Sequence, residues 1–131
     1  MTGLDTNVLV RYFAQDDPIQ SRKATEIIER RFTQQDPGFI SLVTMVETVW
    51  VLSGVYTLPD QEIVTVVEQM LQVNTLVIQN EQEVFTAAMA LKAGRGSFAD
   101  ALIAALGKWG GCISTLTFDK KASQLGGFEL L

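Results

Sequence analysis

Short apolar runs alternate with amphipathic helical stretches along the whole 131-residue chain, and this alternation constrains the fold more than any other feature. Met1 to Leu4 form a first apolar run, after which Val8, Leu9, Tyr12 and Phe13 recur at helical spacing. Asp17-Pro18 opens a second helix, with Asp17 as cap, Pro18 at the first position and Ala24, Ile27, Ile28 and Phe32 on the inner face. Asp36-Pro37-Gly38 breaks it, Phe39 and Ile40 make a second strand, and Ser41 caps a long apolar helix that Gly54 ends. A helix after Pro59-Asp60 carries Ile63, Val66, Val67, Met70 and Leu71 on one side and leads to a third strand at Leu76 to Ile78. Glu81 to about Lys92 is helical again, Gly94 and Gly96 stop it, and Ser97 caps a helix striped by Phe98, Leu102, Ala105 and Trp109. Gly110-Gly111 leads to a fourth strand, Cys112 to Thr115, and Phe128 to Leu130 form a terminal one.

This order predicts a single domain over residues 1–131: an α/β fold of three layers, α/β/α, with a parallel sheet of four to five strands joined by right-handed crossovers. In such sheets the helices begin at the edge where the strands end, and ligands bind along that edge. No segment reads as a linker, repeat or low-complexity tract, and no apolar run approaches the roughly 20 residues that span a bilayer. The start of the chain lacks a basic segment followed by an apolar one, so the expectation is a cytoplasmic protein with no membrane association.

Four acids fall at that edge. Asp5 ends the first strand, Asp119 follows the fourth in Thr115-Leu116-Thr117-Phe118-Asp119, and Asp100 lies in the first turn of the helix that feeds the fourth strand. Glu47 is five residues into its helix, about 7.5 Å along the axis at 1.5 Å per residue, and so still near the edge. The sequence therefore predicts that the four carboxylates converge. Each aspartate taken alone is also explained by capping: Asp5 and Asp119 precede helical turns, and Asp100 stands three residues after Ser97 as in a capping box. Glu47 resists that explanation. Its helix is otherwise apolar apart from Thr44 and Thr48, no cationic residue accompanies it there, and a buried carboxylate is costly unless something neutralises it.

The chain has no histidine and one cysteine, Cys112. This excludes Ser-His-Asp and Cys-His nucleophiles, histidine-based ribonuclease chemistry, an internal disulfide and the usual zinc sites. Between glycine and isoleucine, Cys112 reads as a small buried residue of a strand. A site of carboxylates alone suits a hard divalent cation, Mg²⁺ or Mn²⁺, and points to metal-assisted chemistry on phosphates. The net charge of −5 is unfavourable for nucleic acid when read globally, but setting aside the four candidate acids leaves 11 acids against 10 bases. Arg11, Arg22-Lys23, Arg30-Arg31, Lys92 with Arg95, and Lys120-Lys121 offer local phosphate contacts, although such pairs are also ordinary solvated helix faces.

Four motifs carry a resemblance to a known family: Leu4-Asp5-Thr6-Asn7-Val8-Leu9 followed by Arg11; Ile40-Ser41 through Thr44 to Glu47; Phe98-Ala99-Asp100-Ala101-Leu102-Ile103; and Thr117-Phe118-Asp119-Lys120-Lys121-Ala122. In order, spacing and near full-length coverage they resemble a PIN-domain nuclease, more narrowly a VapC-type toxin of a type II toxin-antitoxin module. The resemblance implies a PIN-like fold and metal-dependent endoribonuclease activity on RNA. It implies that Asp5, Glu47, Asp100 and Asp119 are the catalytic, metal-holding residues, with Thr6, Asn7, Thr44 and Thr117 as supporting polar groups. Arg11, Lys120 and Lys121 are then candidate contacts to the RNA. A homodimer and a cognate antitoxin, whose helix covers apolar helices, are the implied partners; Trp50, Tyr56, Leu58 and the Ile63 to Leu71 stripe supply apolar surface.

Two other families fit less well. A haloacid-dehalogenase-like phosphohydrolase needs a second aspartate two positions after the first, where this chain has Asn7. A receiver domain needs a phosphorylatable aspartate after a middle strand, where Ile78 is followed by Gln79 and Asn80. A non-catalytic PIN-like interaction module is the third alternative.

Overall fold

The computed structural model describes residues Met1 to Leu131, which form two units, Met1–Gln79 and Asn80–Leu131. Both are α/β, and every strand pair in them is parallel, as the alternation predicts.

The first unit carries strands β1 (Thr2–Gly3), β2 (Gly38–Ile40) and β3 (Leu76–Ile78) in the order β1-β2-β3. Thr2 pairs with Gly38, and Gly38 in turn with Leu76. Helices α1 (Thr6–Ala14), α2 (Pro18–Glu26), α3 (Leu42–Gly54) and α4 (Asp60–Gln72) connect them. Asp17 caps α2 as predicted, accepting from the amides of Ile19 and Gln20 at 3.1 and 2.9 Å. The helix continues as a π-helical turn over Ile27–Arg31. Ser41 caps α3 by accepting from the Thr44 amide, and the Gln79 side chain accepts from the Leu42 amide.

Leu9, Ile40, Met45, Leu52, Ile63 and Met70 are buried at the centre of this unit. The Ile63 to Leu71 stripe is therefore core: Ile63, Val67 and Met70 are buried, and only Val66 and Leu71 are half-exposed. Trp50 does lie open, at 71% exposure, on the outer side of α3 with Val43. Gly38 is required where it stands, because a Cβ there would come within 2.5 Å of the Phe32 ring.

The second unit contains α5 (Glu81–Lys92), α6 (Phe98–Trp109), β4 (Thr115–Thr117) and β5 (Phe128–Leu130). The two helices pack together, with Val84, Ala88 and Leu91 of α5 and Phe98, Ala101 and Leu102 of α6 buried. Strand β4 pairs with β5 from Thr115–Phe128 to Thr117–Leu130. Ala122 and Leu125, in and beside a 3₁₀ turn (Ala122–Gln124), are buried.

The fourth strand starts later than Cys112, where the sequence put it. Gly110 and Gly111 close α6 with bonds to Leu106 and Lys108, and the Cys112 amide donates back to Gly107. That amide is consumed by the helix terminus, so the chain becomes extended only at Thr115. Cys112 is accordingly exposed in a turn, not buried in a strand. Trp109 likewise leaves the predicted stripe and is exposed at the end of α6, whose buried face is Phe98, Ala101, Leu102 and Ala104.

Candidate functional site

In the first unit, β1 pairs with β2 for only two residues before the Leu4 amide makes a last bond to the Phe39 carbonyl. The chain then turns into α1 with Asp5 at the junction. Asp5 occupies the cap position but uses it little: one carboxylate oxygen accepts from the Thr6 amide at 2.9 Å, and none from the next two amides. Asp17, in the same position on α2, accepts two. Asp5 is thus exposed, with its second oxygen free of hydrogen bonds within this unit.

Thr6 also faces α3. Its hydroxyl donates to the Glu47 carboxylate at 3.0 Å, so one buried threonine holds Asp5 through its amide and Glu47 through its side chain. Glu47 is itself exposed, which removes the desolvation cost that the sequence attached to it; the Thr6 bond, not burial, is what selects its position. Both ion pairs of this unit lie elsewhere, at Met1–Asp36 and Arg11–Asp16, and leave the two carboxylates without a cationic partner. Asn7 is exposed beside them, and Thr44 is buried one helical turn before Glu47.

Arg11 has a structural engagement that its sequence neighbours do not reveal. Its guanidinium donates to Gln20 at 2.8 Å, to Asp16 at 3.2 Å and to the Tyr56 hydroxyl at 3.0 Å, while Tyr56 donates to Asp16 at 2.6 Å. This network ties the α1–α2 turn to the end of α3. The Tyr56 bond and the Arg11 charge hold the Asp16 carboxyl below its ordinary range. Nearby, Tyr12 donates to Glu29 at 2.7 Å, and burial followed by that bond pushes its hydroxyl up to about 12.

In the second unit, Asp100 is half-buried in the first turn of α6, where its amide donates to the Ser97 hydroxyl at 3.1 Å. Its carboxylate does not return the bond to the Ser97 amide, so only half of a capping box forms. Asp119 follows β4, exposed, with its amide donating to the Thr117 hydroxyl at 3.0 Å and its carboxylate accepting from the Lys121 amide at 2.8 Å. These bonds fix the turn and leave the side chains of Lys120 and Lys121 extended into solvent.

The structure therefore joins Asp5 and Glu47 through Thr6, and seats Asp100 and Asp119 in turns of their own; neither unit by itself gathers three acids into a group. The donor chemistry fits a hard divalent cation: carboxylate and hydroxyl oxygens, with no imidazole or thiolate among them. Ser41, which the sequence offered as a cap and as the start of the second motif, also donates to the Thr44 hydroxyl at 3.2 Å. The Ser-x-x-Thr-x-x-Glu spacing is the signal that identifies it.

A model of the PIN-domain family matches residues 4–127, nearly the whole chain and all four candidate acids. The chain belongs to the PIN-domain family. Members are typically nucleases and generally use divalent metal ions, which agrees with the oxygen-only donors of this PIN domain. No curated protein matches the chain. None of its helices is long and apolar enough to cross a membrane.

Proposed function

We propose that this PIN domain, a single domain over residues 1–131, is a Mg²⁺- or Mn²⁺-dependent endoribonuclease that acts in the cytoplasm as the toxin of a toxin-antitoxin pair. The observation that carries the reading is the pairing of Asp5 and Glu47 through Thr6 in a chain of this family. The metal-holding carboxylates of the reading are Asp5, Glu47, Asp100 and Asp119. These residues would hold the cation, which would supply an activated water and neutralise charge developing on the phosphodiester.

The chain's own residues do the rest. Thr6 holds one oxygen of the Glu47 carboxylate, leaving the other to hold the cation or to take a proton through water. Lys120 and Lys121, unpaired and exposed after Asp119, contact RNA phosphates. Arg11, the third candidate contact, also fixes the α1–α2 turn through Gln20, Asp16 and Tyr56. Exposed Trp50 and Val43 on α3 offer apolar surface to the second copy of a homodimer or to a cognate antitoxin.

Expression of the chain in cells, with sequencing of RNA ends, tests this. Discrete new cleavage ends that are absent with Asp5→Asn, and suppressed by an antitoxin encoded alongside, are the expected result. Unchanged RNA ends in both strains would leave a non-catalytic interaction module as the better reading.

A further inference from the structure

Sheet pairing ends at the Leu4 amide, so the Leu4 carbonyl, in the peptide that leads into Asp5, has no strand partner on that side. It accepts instead from the Thr44 hydroxyl at 3.3 Å. A carbonyl can only accept, so Thr44 donates its single proton there, and the Ser41 hydroxyl, 3.2 Å away, donates to Thr44 in turn. Thr44 is only 8% exposed, which makes an unpaired group at this place costly. It also sits three residues before Glu47, on the same face of α3.

From this arrangement we infer that Thr44 is a positioning residue of the metal site: its hydroxyl clamps the backbone that carries Asp5 to the helix that carries Glu47. The inference rests on the metal-dependent reading above. Thr6 bridges the two side chains, and Thr44 bridges their backbones, so together they fix the spacing at which two carboxylates meet one cation. Thr48 supplies an internal comparison. It lies one turn further along α3, is fully buried, and spends its hydroxyl on the Thr44 carbonyl at 2.7 Å, within its own helix, with no hydrogen bond to the Leu4–Asp5 segment.

The test titrates Mn²⁺ into the full-length wild-type protein and into Thr44→Val, Thr44→Ser and Thr48→Val, following binding by calorimetry and folding by circular dichroism. Valine keeps the shape and removes the donor. Mn²⁺ affinity should fall about 10- to 100-fold in Thr44→Val, the range for losing a group that orients a metal ligand. It should stay at the wild-type value in Thr44→Ser and Thr48→Val. In RNA cleavage, Thr44→Val should lower kcat with KM for RNA unchanged, and excess Mn²⁺ should restore much of the loss. Should Thr44→Val not fold, Thr44→Cys, with a weak donor of similar size, takes its place with the same expectation. Equal Mn²⁺ affinity in the wild type and the donor-less variant, or equal losses in Thr44→Val and Thr48→Val, would overturn the positioning role alone. A wild-type chain that binds no Mn²⁺ would overturn the metal reading, and this inference with it.

Discussion

Replacing Glu47 by glutamine separates electrostatics from shape at the pair of acids in the first unit. Asp5 and Glu47 accept from the amide and hydroxyl of the same threonine at 2.9 and 3.0 Å. Two such charges about 6 Å apart repel by about 0.7 kcal/mol at the dielectric of water or about 3 kcal/mol at an effective 20. Both side chains are exposed, which places the repulsion toward the lower figure. Glutamine retains a carbonyl oxygen for the Thr6 hydroxyl, though a neutral acceptor gives back roughly 0.5–1 kcal/mol of the bond. The two changes offset, so the metal-free melting temperature should be unchanged within about 3 °C. Metal binding has no such offset. At a Mn²⁺ concentration roughly 100 times the dissociation constant, binding stabilises the fold by about 2.7 kcal/mol, which for a chain of this length is on the order of 10 °C. A tenfold loss of affinity reduces that to about 1.4 kcal/mol, on the order of 5 °C. Thermal melts of both proteins in EDTA and in Mn²⁺ provide the comparison. A large drop in the metal-free melting temperature with the full Mn²⁺ increment retained would make Glu47 a structural hydrogen-bonding residue and refute the reasoning.

Asp5→Asn, Asp100→Asn and Asp119→Asn should each abolish RNA cleavage while melting close to the wild type, since asparagine keeps the volume and serves as well as a cap; activity retained in all three, in preparations free of other nucleases, would mean that capping is their whole role. Lys120→Ala with Lys121→Ala should weaken RNA binding and flatten its salt dependence by up to about two units of slope, while leaving Mn²⁺ affinity intact; an unchanged salt slope would remove these lysines from the interface. Tyr12 predicts alkaline behaviour: its hydroxyl, pushed up to about 12 in the fold from 10, contributes stability that is complete below pH 10 and lost as the pH rises toward 12. Phenolate absorbance should therefore show a tyrosine ionising about two units late, and Tyr12→Phe should remove that late component and lessen the alkaline loss of stability; a wild type without it would contradict the Tyr12–Glu29 bond.

Local chemistry made the caps legible. Asp17-Pro18, Ser41 and Ser97 each act within three residues of themselves, and each does in the structure what its sequence context predicts. The strands β1, β2, β3 and β5 were legible for a similar reason, as short apolar runs between turn residues. β4 was not, because the Gly107–Cys112 bond that delays it belongs to the preceding helix terminus. Contacts distant in sequence were illegible. Nothing near Arg11 announces that Tyr56, 45 positions away, will engage its guanidinium, and nothing near Glu47 announces the Thr6 hydroxyl, 41 positions away. The motifs named the acids; only the fold shows that Asp5 and Glu47 are joined by the amide and hydroxyl of Thr6 instead of by burial.

Cleavage of a purified RNA by the purified chain, after exhaustive chelation and then with Mg²⁺ or Mn²⁺ added back, tests the central claim most directly. The account predicts no cleavage in EDTA, recovery with either cation, no requirement for Zn²⁺, and no recovery in Asp5→Asn. Full activity after chelation, or equal activity in the wild type and Asp5→Asn, would contradict it.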